Sequence, residues 1–242
     1  MSALELPHAL ELRGVRAGYG RIEVLHGLTI NVPRGAVVAL LGRNGMGKTT
    51  TLRAISGTIP VTSGEIRLDG RRIDNRRANV IASRGVVLVP EGRGVFPGLN
   101  VRDNLAIAHR SGGKAAGSWD DFLAEATEAF PILGQRMYQT AGLLSGGEQQ
   151  MLAVARALAG DPSILMFDEL SMGLAPIIVE QLMDRVGALR DEGRTIVLVE
   201  QYLTHAMKLA DLCYVIAKGQ VTWVGEPGEL KHMPASSAFL SV

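Results

Sequence analysis

Residues 42–49 read Gly-Arg-Asn-Gly-Met-Gly-Lys-Thr and fill every fixed position of the pattern G-x-x-x-x-G-K-[ST]. Glycines at these points let the backbone curl until its N–H groups aim at phosphate oxygens. A helix N-terminus after the loop adds partial positive charge. Lys48 then neutralises the β and γ phosphates, and the Thr49 hydroxyl is a ligand for Mg²⁺. A second set of reactive groups closes the run Ile164-Leu165-Met166-Phe167-Asp168-Glu169. Two carboxylates at the C-terminal end of a buried parallel strand stand where ligands bind. Asp168 is the candidate Mg²⁺ holder, directly or through water, and Glu169 the candidate base that orients an attacking water. Each motif alone has a plainer explanation, a glycine-rich turn or a solubilising acidic turn. Their joint presence favours phosphoryl transfer.

The elements around these residues support that reading. Val37 to Leu41, Val86 to Val89, Ile164 to Phe167 and Ile196 to Val199 are short apolar runs bounded by Gly, Pro or acidic residues, as buried parallel strands are. Leu52, Ile55 and Ile59 give the segment after the phosphate loop one apolar face. Leu182, Val186 and Leu189 recur at helical spacing after Pro176 and stop near Gly193. Strands alternating with helices predict an α/β sheet covered on both faces.

Residues near 92–160 carry no strand-like run. Asn100 is placed to cap a helix with Asp103 in its first turn. Leu123, Ala126, Phe130 and Leu133 predict a second helix, with a loop over Ser111 to Ser118 between the two. The arginines from Arg67 to Arg84, interrupted by Asp69 and Asp74, read as a solvated face.

Bulk composition limits the partners. Apolar residues make up 47% of 242, enough for a core, and 25 basic against 24 acidic side chains leave a formal charge of +1. That balance lacks the basic excess of a nucleic-acid binder, so no nucleic-acid partner is expected. The single cysteine, Cys213, fits a reducing compartment. Met1 to Leu10 does not read as a signal peptide. No apolar stretch approaches the roughly 18–20 residues that span a bilayer. The chain is expected to be soluble and to serve any membrane process through partners.

A third motif narrows the class. In Leu144-Ser145-Gly146-Gly147-Glu148-Gln149-Gln150, Ser145 and Glu148 form a capping box, and Met151, Val154, Ala155 and Leu158 fall on one face of the helix that follows. The box does not account for two glycines in a first turn, where each weakens a helix by about 1 kcal/mol. Bare glycines there admit a phosphate to the helix N-terminus, and the Ser145 hydroxyl can bond it.

With these motifs the chain resembles the ABC ATPase family, whose signature is LSGGQ; Glu148 takes the place of the usual Gln. The resemblance runs from about Leu12 to Gly228. It implies the P-loop NTPase ABC cassette: an α/β fold with a RecA-like core sheet, an antiparallel β region and an inserted α-helical subdomain. The implied domain covers 8–242, with a core of 8–91 and 161–242 and the helical part at about 92–160. Carried onto this sequence, the nucleotide contacts are Tyr19 (stacking on adenine), Gly42, Asn44, Gly45, Gly47, Lys48, Thr49 and Thr50. Ser145, Gly146, Gly147 and Glu148 would act on nucleotide held by a partner cassette. Glu91 lies in the loop that touches metal and permease, so Thr49, Glu91 and Asp168 are the implied Mg²⁺ residues. Glu169, Lys48 and Gln201 are the implied catalytic residues, and ATP and Mg²⁺ the cofactors.

Departures from the common pattern point to a branch. Glu91 stands where most members carry Gln, Gln201 where most carry His, Ala175-Pro176 where most carry an Asp, and Leu170 where a Pro usually follows the catalytic Glu. Together with Ser145 to Met151, most of these are similar to the importer subunits for branched-chain amino acids; urea and short-amide importers share them. The implied partners are a second cassette, related or identical, two integral permeases and, indirectly, a substrate-binding protein. The implied place is the cytoplasmic face of the cell membrane.

Overall fold

A computed structural model describes residues 7–200 and 203–230. In chain order the elements are β1 (His8–Tyr19), β2 (Ile22–Pro33), β3 (Val37–Leu41), α1 (Lys48–Ile55), β4 (Val61–Leu68), β5 (Arg71–Arg72), α2 (Ala78–Ala82) and β6 (Val86–Val89). The helical stretch follows with α3 (Val101–Gly112), α4 (Trp119–Ala129), α5 (Pro131–Gln135) and α6 (Gly146–Leu158). The chain then returns to the sheet through β7 (Ile164–Asp168), α7 (Pro176–Asp191), β8 (Thr195–Val199), α8 (Leu203–Leu209), β9 (Leu212–Ala217), β10 (Gln220–Gly225) and α9 (Pro227–Leu230).

Six strands form the central sheet in the order β10-β9-β3-β8-β7-β6, parallel except for β10. Every residue of β3, β7 and β8 is buried, which is why these strands read as unbroken apolar runs rather than alternating ones. Their side chains divide by parity. Leu165, Phe167, Ile196 and Leu198 face the helical stretch, while Ile164, Met166, Val197 and Val199 face the second sheet. That second sheet is antiparallel, in the order β2-β1-β4-β5. Leu10, Leu12, Leu25, Leu28 and Ile30 from it pack with Leu52 and Ile55 of α1 in one cluster. Cys213 is buried beside Ala39, Leu41 and Val215.

The antiparallel region expected from the resemblance is present, and residues between β6 and β7 form helices with one isolated bridge, Asn100 to Thr140. Asn100 caps α3 by accepting the Asp103 N–H at 2.7 Å. Three sequence expectations need correction. The helix over Leu123 to Leu133 is two, because Pro131 cannot continue α4 and starts α5 at its first turn, leaving Phe130 at φ −137°. The helix α1 ends at Ile55, so Ile59 packs on the same cluster from outside it. Much of the expected loop over Ser111 to Ser118 is helical, since α3 reaches Gly112 and a 3-10 turn covers Gly113–Ala116. Among the described residues no helix is long and apolar enough to cross a membrane.

Candidate nucleotide site

The phosphate loop leaves the end of β3 and enters α1, so its backbone donors gather at the C-terminal edge of the parallel sheet. Two of its glycines are dictated by space. A Cβ on Gly42 would lie 2.3 Å from the Ile216 carbonyl oxygen, and one on Gly47 would lie 2.9 Å from the Leu25 side chain. Both also have left-handed φ, 142° and 107°. Lys48 is buried, and its ammonium donates to the carbonyls of Gly42 at 2.6 Å and Arg43 at 3.1 Å. Burial lowers the Lys48 pKa, opposed by the charges of Glu169 and Asp168.

Asp168 ends β7 and is buried; its Oδ1 accepts the Thr49 hydroxyl at 3.1 Å. Burial pushes the Asp168 carboxyl up to about 6, helped by Glu169 and Glu91, while the Thr49 hydrogen bond pulls it down. Two of the three expected Mg²⁺ residues, Thr49 and Asp168, thus lie side by side, and both offer hard oxygen donors of the kind Mg²⁺ takes. Among the described residues no three His, Cys, Asp or Glu side chains cluster to hold a metal by themselves. One or two protein oxygens completed by phosphates and water is the usual Mg²⁺ arrangement at a nucleotide.

A cavity of about 380 Å³ brings most of the first half of the site together. Tyr19, Asn44, Gly45, Gly47, Lys48, Thr49, Thr50, Glu91 and Glu169 line it, joined by Val24 and Met172. Tyr19 is 41% exposed, and its hydroxyl accepts from Arg53 at 3.1 Å and lies 3.5 Å from the Thr50 hydroxyl. The Arg53 guanidinium also lies over the ring, 5.9 Å from its centroid. Glu169 follows Asp168 with a left-handed backbone, φ 52°, and its N–H is held by the Val199 carbonyl at 2.9 Å.

No residue of the Ser145–Glu148 corner lines this cavity. The capping box is closed in both directions: Ser145 Oγ accepts the Glu148 N–H at 3.3 Å, and Glu148 Oε2 accepts the Ser145 N–H at 2.7 Å. Glu148 also pairs with Arg136 at 2.7 Å. Burial works against its charge, but the Ser145 bonds and Arg136 outweigh this and hold the carboxyl below the usual range.

The two glycines do more than sequence reasoning assigned to them. A Cβ on Gly147 would lie 2.6 Å from Ile178 of α7, and one on Gly146 would lie 2.7 Å from the Arg93 guanidinium. Arg93, itself left-handed at φ 75°, donates to Gln149 at 2.8 Å and lies over this corner. Sequence reasoning missed Arg93, Met172 and Arg53. Only Arg93 left a usable trace, a large cation two residues after Glu91 in a glycine-flanked loop. Gln201 lies outside the described residues.

A second cleft of about 780 Å³ opens between α2, β6, the loop after Glu91 and the helices α3 and α6. Phe96, Val87, Ile107 and Ala157 give it apolar walls, and Arg84, Arg93 and Arg156 give it charge. Arg156 donates to the Gly94 carbonyl and packs over Phe96, 4.6 Å from the ring centroid. Burial lowers its pKa, and among the described residues it has no carboxylate partner.

This combination of sheet, phosphate loop, carboxylate pair and distant signature defines an ATP-binding cassette. The family model described as "ABC transporter" matches residues 25–171, and the chain belongs to that family. Among its relatives is the high-affinity branched-chain amino acid transport ATP-binding protein BraG of Pseudomonas aeruginosa, 43% identical over 84% of this chain and 86% of that protein. Another is the probable branched-chain amino acid transport ATP-binding protein LivF of Archaeoglobus fulgidus, 36% identical over 89% of this chain and 91% of that protein. A solved ATP-binding subunit of an ABC transporter superposes with a TM-score of 0.81 at 26% identity, covering 93% of this chain and 92% of that one. Family and fold together imply nucleotide binding and ATP hydrolysis.

Proposed function

We propose that this chain hydrolyses MgATP within a pair of cassettes and thereby powers uptake of branched-chain amino acids through partner permeases at the cytoplasmic face of a membrane. The observation that carries the paired mechanism is the division of the site. The cavity that collects Tyr19, Lys48, Thr49, Glu91 and Glu169 has no wall from Ser145–Glu148. A second cassette, related or identical, supplies its own signature corner to cover the nucleotide.

In this reading Tyr19 stacks on adenine, while Gly42, Asn44, Gly45 and Gly47 cradle the phosphates with Lys48 and Thr50. Thr49 and Asp168, with Glu91 near them, hold Mg²⁺, which when bound offsets charge on the phosphates. Glu169 orients a water in line with the γ-phosphorus and accepts its proton as the new P–O bond forms. The bond from phosphorus to the β–γ bridging oxygen breaks, and ADP departs with that electron pair. Gln201 contributes an amide donor to the γ-phosphate. Residues 8–91 and 161–242 act as the core unit and about 92–160 as the helical unit that moves against it.

The cleft beside Arg156 is the proposed seat of a permease segment, whose binding protein delivers the cargo from the far side. The names of BraG and LivF support the choice of branched-chain amino acids, because the chain aligns with both over most of their length. Replacing Glu169 by Gln should leave nucleotide affinity within about twofold and lower turnover by about 100-fold or more. Steady-state hydrolysis at the native rate in that variant removes Glu169 from the mechanism. Cells lacking the chain should lose uptake of labelled leucine, and regain it with the native chain but not with Glu169→Gln. Unimpaired uptake without the chain excludes this cargo.

A further inference from the structure

Glu200 is a carboxylate in the interior, 1% exposed, directly after β8. A buried carboxylate costs several kcal/mol unless hydrogen bonds satisfy it. Two of its bonds reach a short segment on the neighbouring strand's exit. Oε2 accepts the Ser171 hydroxyl at 2.6 Å, and Oε1 accepts the Ser171 N–H at 3.2 Å. Ser171 is itself 4% exposed and lies two residues beyond Glu169.

The turn between them is strained and needs holding. Glu169 has φ 52°, a left-handed conformation that is unfavourable for a residue with a Cβ. Its backbone N–H is tied to Val199, the last residue of β8, at 2.9 Å. Leu170, 1% exposed, anchors the middle of the turn in the core on the helical side. The turn that presents the Glu169 carboxylate is therefore fastened to the end of β8 at both ends, by Val199 before it and Glu200 after it.

We propose that Glu200 is a positioning residue for hydrolysis: its clasp on Ser171 sets the place of the Glu169 carboxylate beside the nucleotide cavity. This rests on the reading of Glu169 as the group that orients water. A shift of the order of an ångström in such a base costs turnover without weakening binding, because the phosphates are held by Lys48 and the loop.

The test measures kcat, KM and nucleotide affinity in the full chain for Glu200→Gln, Ser171→Ala, Ser171→Thr and the double variant Glu200→Gln with Ser171→Ala. The expected result is kcat lowered about 10-fold or more in Glu200→Gln and Ser171→Ala, with KM and affinity within about twofold. Ser171→Thr, which keeps the hydroxyl, should recover native kcat. The double variant should be no slower than Glu200→Gln, since both remove one clasp. Native kcat in Ser171→Ala overturns the proposal even if Glu200→Gln fails to fold. Equal losses in kcat and affinity, or additive losses in the double variant, overturn it as well. Glu169→Gln, run alongside, separates the two readings: with that variant inactive and Glu200→Gln native-like, only the positioning role falls.

Discussion

The phosphate loop and the signature corner are both glycine-rich entries to a helix, yet they are finished differently. At the loop, the chain supplies its own complement. Lys48 and Asp168 are buried, Lys48 donates to the loop's own carbonyls, the half-buried Thr49 donates to Asp168, and Lys48 and Thr49 line a cavity. At the corner, the cap of α6 is satisfied inwardly, and what lies against Gly146 is Arg93, a cation at the positive end of a helix. The Glu148 carboxylate in the cap offsets part of that positive charge. In the proposed mechanism the loop holds a phosphate within one chain, and the corner meets one from outside.

The widest separation between the two should come from Lys48→Ala against Gly146→Asp. Removing Lys48 should weaken ATP binding to the isolated chain by about 100-fold, read by equilibrium titration. Gly146→Asp sets a carboxylate where phosphate should arrive, beside a side chain end that can yield. It should leave that titration unchanged while lowering turnover by about 100-fold. Weakened binding in the isolated Gly146→Asp chain would break the distinction.

A smaller effect follows from Asp168. Its carboxyl is raised from the usual 3.8 to about 6, chiefly by burial. Between those values the folded chain keeps a proton that the unfolded chain has released. This group's stabilisation of the nucleotide-free protein is therefore full below 3.8 and is lost as pH rises through 6. Metal binding runs the other way, because Mg²⁺ needs the carboxylate. Affinity for MgATP should fall on acidification below pH 6, approaching about tenfold per unit, and Asp168→Asn should flatten that profile. A native profile unchanged from pH 7 to 5 counts against Asp168 as the metal holder.

Tyr19→Ala should have the least effect, raising KM for ATP by about three- to tenfold with kcat unchanged, the scale of one lost stacking contact. A Phe in its place should restore most of the affinity even though the Arg53 bond is gone. If Phe performs no better than Ala, the hydroxyl rather than the ring carries the contribution.

Both glycine-rich corners were legible in the sequence because each is local. The loop and the carboxylate pair are contiguous, and their flanking strands are buried on both faces, so apolar runs mark them without tertiary information. The antiparallel sheet was legible only by resemblance. Strands β1 and β2 are twelve residues each, but repeated register shifts between them scramble the alternation that would reveal them. The break at Phe130 was hidden because Leu123, Ala126, Phe130 and Leu133 keep a helical period across a proline that starts a new helix. Arg93 over Gly146 and Glu200 on Ser171 join residues 53 and 29 positions apart, and no local pattern encodes such pairs.

Cys213 gives this chain a practical advantage. The lone thiol is walled in behind β3 and pushed up to about 12 by burial, so it is almost wholly protonated and inert toward alkylating dyes at neutral pH. A cysteine introduced at Leu143, 75% exposed beside the signature, would be the one thiol to take a fluorophore. The native background is already silent, so mating of two cassettes could be followed optically without first stripping the protein of sulfur.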